Sequence, residues 1–134
     1  MVTAKKLNPL ILAGGFAALM SAMGLGRFYY TPMVPVMQGE LGITTDMAGW
    51  IAGANFTGYL IGTLWAMMLK DSIVRWRMNT LGVLLCAAAT VGTGLSHDPY
   101  VIGLMRALAG FGSAMVMVLC VSLVFEATHH IDDK

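Results

Sequence analysis

Four long apolar stretches separated by short polar ones organise the chain. The first runs from about Pro9 to Met37 and the second from about Met47 to Leu69. The third covers about Met78 to Leu95 and the fourth about Tyr100 to Phe125, leaving 126–134 as a tail. About 20 apolar residues cross a bilayer as an α-helix, so each stretch is predicted to be one membrane span. The pattern predicts an all-α membrane protein with four transmembrane helices in a single domain, residues 1–134. The first stretch is long for one span. Pro32 and Pro35 lie in its far end, where a neighbouring helix or an exposed terminus can satisfy the backbone. Within the polar stretch Gln38–Asp46, Thr44, Thr45 or Asp46 can cap the second helix through a side-chain oxygen. Lys70–Arg77 reads as a loop and Ser96–Tyr100 as a tight turn.

Composition agrees. Of 134 residues, 57% are hydrophobic and 11% charged, against about 25% charged in an average soluble domain. Mean hydropathy is +0.74. These values exclude a disordered chain, a secreted disulfide scaffold and a soluble enzyme domain. The net charge of +1 leaves no basic footprint for nucleic acid. Cys86 and Cys120 both lie in apolar runs and read as membrane-buried thiols. Lys5 and Lys6 ahead of Leu10 imitate a signal peptide, but the apolar run continues past Ser21, so it is taken as a retained first span.

Charge also orients the spans. Lys5, Lys6, Lys70, Arg75, Arg77 and Lys134 fall on one side, and the loops on the other side hold no Lys or Arg. The positive-inside rule then predicts an inner-membrane protein with both termini cytoplasmic. Tyr29, Tyr30, Trp50 and Tyr100 fall near the outer interface and Trp76 near the inner one, as headgroup anchors do.

Small and polar residues share faces on the spans. Helical spacing aligns Met20, Gly24, Arg27 and Thr31 on span one, and Ala48, Ala52, Asn55, Tyr59, Gly62 and Ala66 on span two. On span four it aligns Gly103, Arg106, Gly110, Ser113 and Met117. Gly58 and Gly62 are four apart, a spacing that lets helix backbones approach closely in lipid. A charge deep in a span costs about 2.5–3.5 kcal/mol. At about 1.5 Å per residue, Arg106 lies roughly 9 Å from the outer end of its span, Asn55 roughly 13 Å and Arg27 roughly 12–15 Å. No acidic residue lies inside any span. Three explanations stand for the arginines: binding an anionic ligand, pairing with groups on helices beyond this chain, or snorkelling to the outer headgroups.

Span four carries Arg106-Ala-Leu-Ala-Gly110-Phe-Gly112-Ser-Ala114. It resembles the R-x-x-x-G-x-G-x-A signature in helix four of major facilitator superfamily transporters. Gly24-Leu-Gly-Arg-Phe-Tyr-Tyr-Thr-Pro-Met-Val-Pro35 and Ala48-Gly-Trp-Ile-Ala-Gly-Ala-Asn-Phe-Thr-Gly-Tyr-Leu-Ile-Gly62 resemble helices one and two of its uncharacterised YbfB/YjiJ-like branch. The resemblance runs from about residue 8 to 125. The usual loop signature between helices two and three departs here. Position 66 is Ala where an Asp is expected, Asp71 comes later, and Arg75 and Arg77 keep only the basic character. Such transporters have twelve helices in two halves with the solute between them near the midplane. The chain therefore resembles the N-terminal third of a transporter, a partial bundle that lacks the opposite wall of the cavity.

The resemblance implies secondary transport of a small organic solute, and the arginines add a preference for an anion. Arg27, Asn55, Tyr59 and Arg106 are the candidate solute-binding residues. Gly58, Gly62, Gly110 and Gly112 are the candidate helix-packing residues. Any coupling carboxylate would come from further helices. The alternative is a truncated or accessory membrane protein that packs with itself or a second membrane chain. An autonomous four-helix exporter would need a glutamate in span one, which is absent. The 12 methionines include Met33-Val-Pro-Val-Met37, a spacing that suits soft metal ions, and His129-His130 lies in the tail. No Met/His-rich segment precedes them, so methionine is taken as apolar filler and no metal site is assigned. No cofactor motif and no catalytic constellation is present, so no enzyme activity is expected.

Overall fold

The computed structural model describes residues 9–20, 24, 28 and 30–132. Among the described residues the helices are, in order, α1 (Pro9–Met20), α2 (Tyr30–Leu41), α3 (Thr45–Met68), α4 (Ser72–Leu95) and α5 (Pro99–Asp132). No strand occurs among the described residues. Ser72–Leu95 and Pro99–Glu126 are each long and apolar enough to cross a membrane. α3 matches α4 in length at 24 residues. Its Asn55, Thr57, Tyr59, Thr63 and interspersed glycines dilute its hydropathy.

The helix ends have identifiable chemical causes. Gly42 takes φ +63°, the left-handed conformation that closes α2 at low cost only for glycine. Thr44 then caps α3, its Oγ1 accepting from the Met47 N–H at 3.3 Å. Asp71 caps α4 by accepting from the Ile73 N–H at 2.9 Å. At the next turn Asp98 accepts from the Tyr100 N–H at 2.8 Å, and Pro99 opens α5 where its missing N–H costs nothing.

Three boundaries differ from the sequence pattern. In the run Pro9–Met37, α2 extends through Pro35 to Leu41, past the expected end of the span, while residues 21–23, 25–27 and 29 lie outside the described residues. The expected loop 70–77 shrinks to a short link at Leu69–Asp71, because the Asp71 cap starts α4 ahead of Arg75 and Arg77. The charged residues ended the apolar run without ending the helix. In the same way α5 continues through the expected tail to Asp132.

Helix α5 is the centre of the molecule and packs against α3, α4 and α1. Half of its apolar span is buried, against 22% for α4. Gly110 and Gly112 account for its position. Residues two apart on an α-helix point about 200° from each other, so they lie on opposite sides. Gly110 faces α3, where an added Cβ would strike the Asn55 carbonyl. Gly112 faces α4, where it would come within 2.7 Å of the Gly82 carbonyl oxygen. From α3, Gly58 meets the Ala107 backbone, and a Cβ on Gly62 would lie 2.6 Å from the Phe111 carbonyl oxygen. Two backbones thus approach α5 from opposite flanks, at distances that tolerate no side chain.

Candidate functional site

Arg106 is fixed by the α3–α5 contact. Ile102 and Gly110 lie one turn before and one turn after it on the same face of α5. Its side chain is 1% exposed. The guanidinium lies over the Tyr30 ring, with Cζ 4.9 Å from the ring centroid. When desolvated, such a contact is worth about 2 kcal/mol. Tyr30 is itself placed by its hydroxyl, which donates to the Ala48 carbonyl of α3 at 2.9 Å. Around this pair Met37, Ile43, Ala48, Ile51 and Ile102 form an apolar cluster, with Ile51 and Ile102 fully buried.

This geometry revises two expectations. Tyr30 is 9% exposed and bonded inward, so it is no headgroup anchor, whereas Trp50 and Tyr100 stay half or more exposed and meet edge to face at 5.9 Å. Arg106 is enclosed by the fold, which removes snorkelling for that residue. Arg27, the second arginine, lies outside the described residues, as does Tyr29.

Asn55 projects from the same α3 surface that receives Gly110. It is 9% exposed, and its Oδ1 has no hydrogen-bond partner among the described residues. Tyr59, one turn further, donates its hydroxyl to the Met117 sulfur of α5 at 2.9 Å. Ser113 donates to the Gly110 carbonyl of its own helix at 2.9 Å, so its proton is already used. The structure brings Asn55, Tyr59 and Arg106 to one α3–α5 interface. Tyr30 completes the setting of Arg106, and the sequence pattern gave no sign of it beyond its place near a span end.

A second polar cluster lies at the Asp71 end. The Arg75 guanidinium donates to the Glu126 carboxylate at 2.6 Å and also to the Ser122 hydroxyl, joining α4 to α5. Glu126 is partly exposed and Arg75 less so. Both partners were visible in the sequence, but their pairing required knowing that α4 and α5 are neighbours.

Comparison with known proteins adds the following. The family described as "Uncharacterised MFS-type transporter YbfB" matches residues 19–133. The chain is 26% identical over 101 residues to the uncharacterized MFS-type transporter YceJ of Bacillus subtilis, covering 75% of this chain and 26% of the relative. It is 32% identical over 99 residues to the uncharacterized MFS-type transporter YcaD of Salmonella arizonae, covering 73% and 26% respectively. The same figures hold for YcaD of Salmonella newport. The chain spans about a quarter of the length of these curated relatives. No solved structure matches.

Proposed function

The chain belongs to the family of YbfB-like MFS-type transporters, and from that premise we propose that it forms the first four membrane-crossing helices of a secondary transporter. In this reading α1 and α2 together make the first span, and α3, α4 and α5 make the next three. Both termini are cytoplasmic in an inner membrane. The bundle is one wall of a solute cavity whose other wall comes from further helices, and access alternates as the two halves rock. The match across residues 19–133 carries this proposal.

The solute is a small organic anion. A guanidinium held inside the helical wall raises the positive potential of its layer, and its fork suits carboxylate or phosphate oxygens. Arg106 reaches the solute when the Tyr30 ring moves aside. Asn55, whose amide oxygen has no hydrogen-bond partner among the described residues, and Tyr59 supply hydrogen bonds from α3. Arg27 is the second cation, on the strength of its depth in the first span. Gly58, Gly62, Gly110 and Gly112 keep the backbones close enough to hold that layer together.

Membrane vesicles from the host, with the gene intact, deleted or altered at Arg106, test this. The panel would hold radiolabelled mono- and dicarboxylates, phosphate esters, sugars and quaternary amines. Deletion is expected to abolish uptake of an anion, and Arg106→Ala to lower it at least tenfold. Arg106→Lys separates charge from fork geometry: retained uptake assigns the role to charge, and loss assigns it to the planar fork. Uptake confined to sugars or amines would remove the anion preference. Identical uptake with and without the gene, across the panel, would sink the transport reading.

The exposed apolar face of α3 favours one second reading. In it the chain is an accessory membrane protein that packs against itself or another chain. The outward face of α3 presents Phe56, Leu60, Leu64 and Met67 to lipid or to such a partner.

A further inference from the structure

Folding brings together two sequence features that transport does not use. Met33 and Met37 stand one turn apart on α2, which places both thioethers on one face. His97 lies in the turn between α4 and α5. All three line one cavity of about 120 Å³, with Glu40, Thr93 and Ser96 completing its polar part. Met37 packs into the apolar cluster with Ile43, Ala48, Ile51 and Ile102 and Met33 packs against it, yet both also line this cavity together with Thr93, Ser96 and the His97 imidazole. Two neutral soft sulfurs with one imidazole are a donor set for a soft, low-charge ion. The Glu40 carboxylate at the same cavity supplies compensating negative charge.

We propose that Met33, Met37 and His97 form a binding site for a soft monovalent cation, Cu(I) in biology and Ag(I) as its redox-inert stand-in. Both thioethers and the imidazole ligate the ion, and Glu40 balances its charge without binding it. The described residues hold no group of three His, Cys, Asp or Glu, so a harder ion such as Zn(II) finds no comparable cage among them. The site lies about 30 Å along α4 from the Arg75–Glu126 pair, at 1.5 Å per residue. It is independent of the organic-anion reading, because cation binding is measurable without transport.

The test is calorimetric titration of the detergent-solubilised full chain with Ag(I), with Zn(II) as the control. One equivalent of Ag(I) is expected to bind, with Zn(II) at least tenfold weaker. Met33→Leu with Met37→Leu, a near volume-conserving pair, should weaken Ag(I) at least tenfold, and His97→Asn should weaken it as well. Cys86→Ala with Cys120→Ala controls for the buried thiols and should leave this equivalent in place. Undiminished binding without the two methionines overturns the site. So does loss of binding only when the cysteines are removed, or a preference for Zn(II). If the methionine pair fails to fold, His97→Asn decides alone, since His97 is an exposed turn residue: unchanged affinity then overturns the proposal.

Discussion

The Arg106 guanidinium rests over the Tyr30 ring at 4.9 Å, and the same tyrosine's hydroxyl is tied to the Ala48 carbonyl of α3. One side chain therefore joins α2, α3 and α5 by two separable interactions. Tyr30→Phe keeps the ring and removes the hydroxyl, leaving the Ala48 carbonyl its own helical bond, and should cost about 1 kcal/mol. Tyr30→Leu also removes the ring from beneath a buried cation and should cost about 2 kcal/mol more. Thermal unfolding in detergent reads the order. Equal stability of the two variants would show that the cation gains nothing from the ring.

Glycine position should decide the sign of Gly→Ala changes. At Gly49 and Gly53 an added Cβ meets nothing within 4 Å. Alanine there should be neutral or stabilise the helix by about 0.5–1 kcal/mol. At Gly58, Gly110 and Gly112 the methyl collides with the facing backbone. Those variants should destabilise by about 1–3 kcal/mol, the range for overpacking. A melt in which Gly110→Ala matches Gly53→Ala would contradict the α3–α5 contact.

The Arg75–Glu126 pair is partly solvated, so its worth is modest. Glu126→Gln should cost about 0.5–1 kcal/mol at low ionic strength, and less as salt is added. Exchanging the partners, Arg75→Glu with Glu126→Arg, should recover part of the loss of either single change. Failure of the exchange to recover anything would indicate that the Ser122 contact, not the charge pair, holds this end.

Orientation has its own readout. A phosphatase fusion after Lys134 should be inactive and a fluorescent fusion there bright, both signs of a cytoplasmic end. A fusion in the Ser96–Asp98 turn should show the opposite. Phosphatase activity at the Lys134 end would overturn the proposed span count or its direction.

The helices themselves were legible because each rests on a local signal: an apolar run, a capping oxygen at Thr44, a proline at the start of α5. Boundaries near charges were less so. Arg75 and Arg77 read as a loop by hydropathy, yet Asp71 had already opened the helix by hydrogen bonding, which hydropathy does not record. The small-residue stripes marked the faces of α3 and α5 in the sequence. Which helix each glycine would meet was hidden, since Gly110 and Gly112 look equivalent in a motif and face different neighbours in space. Tyr30 was misplaced for a related reason. Its distance from a span end was readable, but the Ala48 carbonyl that draws it inward becomes its neighbour only after the turn at Gly42.

The insertion of α5 between α3 and α4 bears on how the chain is made. α3 and α4 emerge from the ribosome in succession, joined by a link of a few residues at Leu69–Asp71, yet each finds its main packing surface on α5. Until α5 is synthesised, Gly58, Gly62 and Gly82 lack the α5 residues that pack against them. The nascent chain therefore cannot reach its compact arrangement until α5 has been made. A ribosome stalled ahead of Pro99 would hold a hairpin whose two arms are shaped for a helix not yet present.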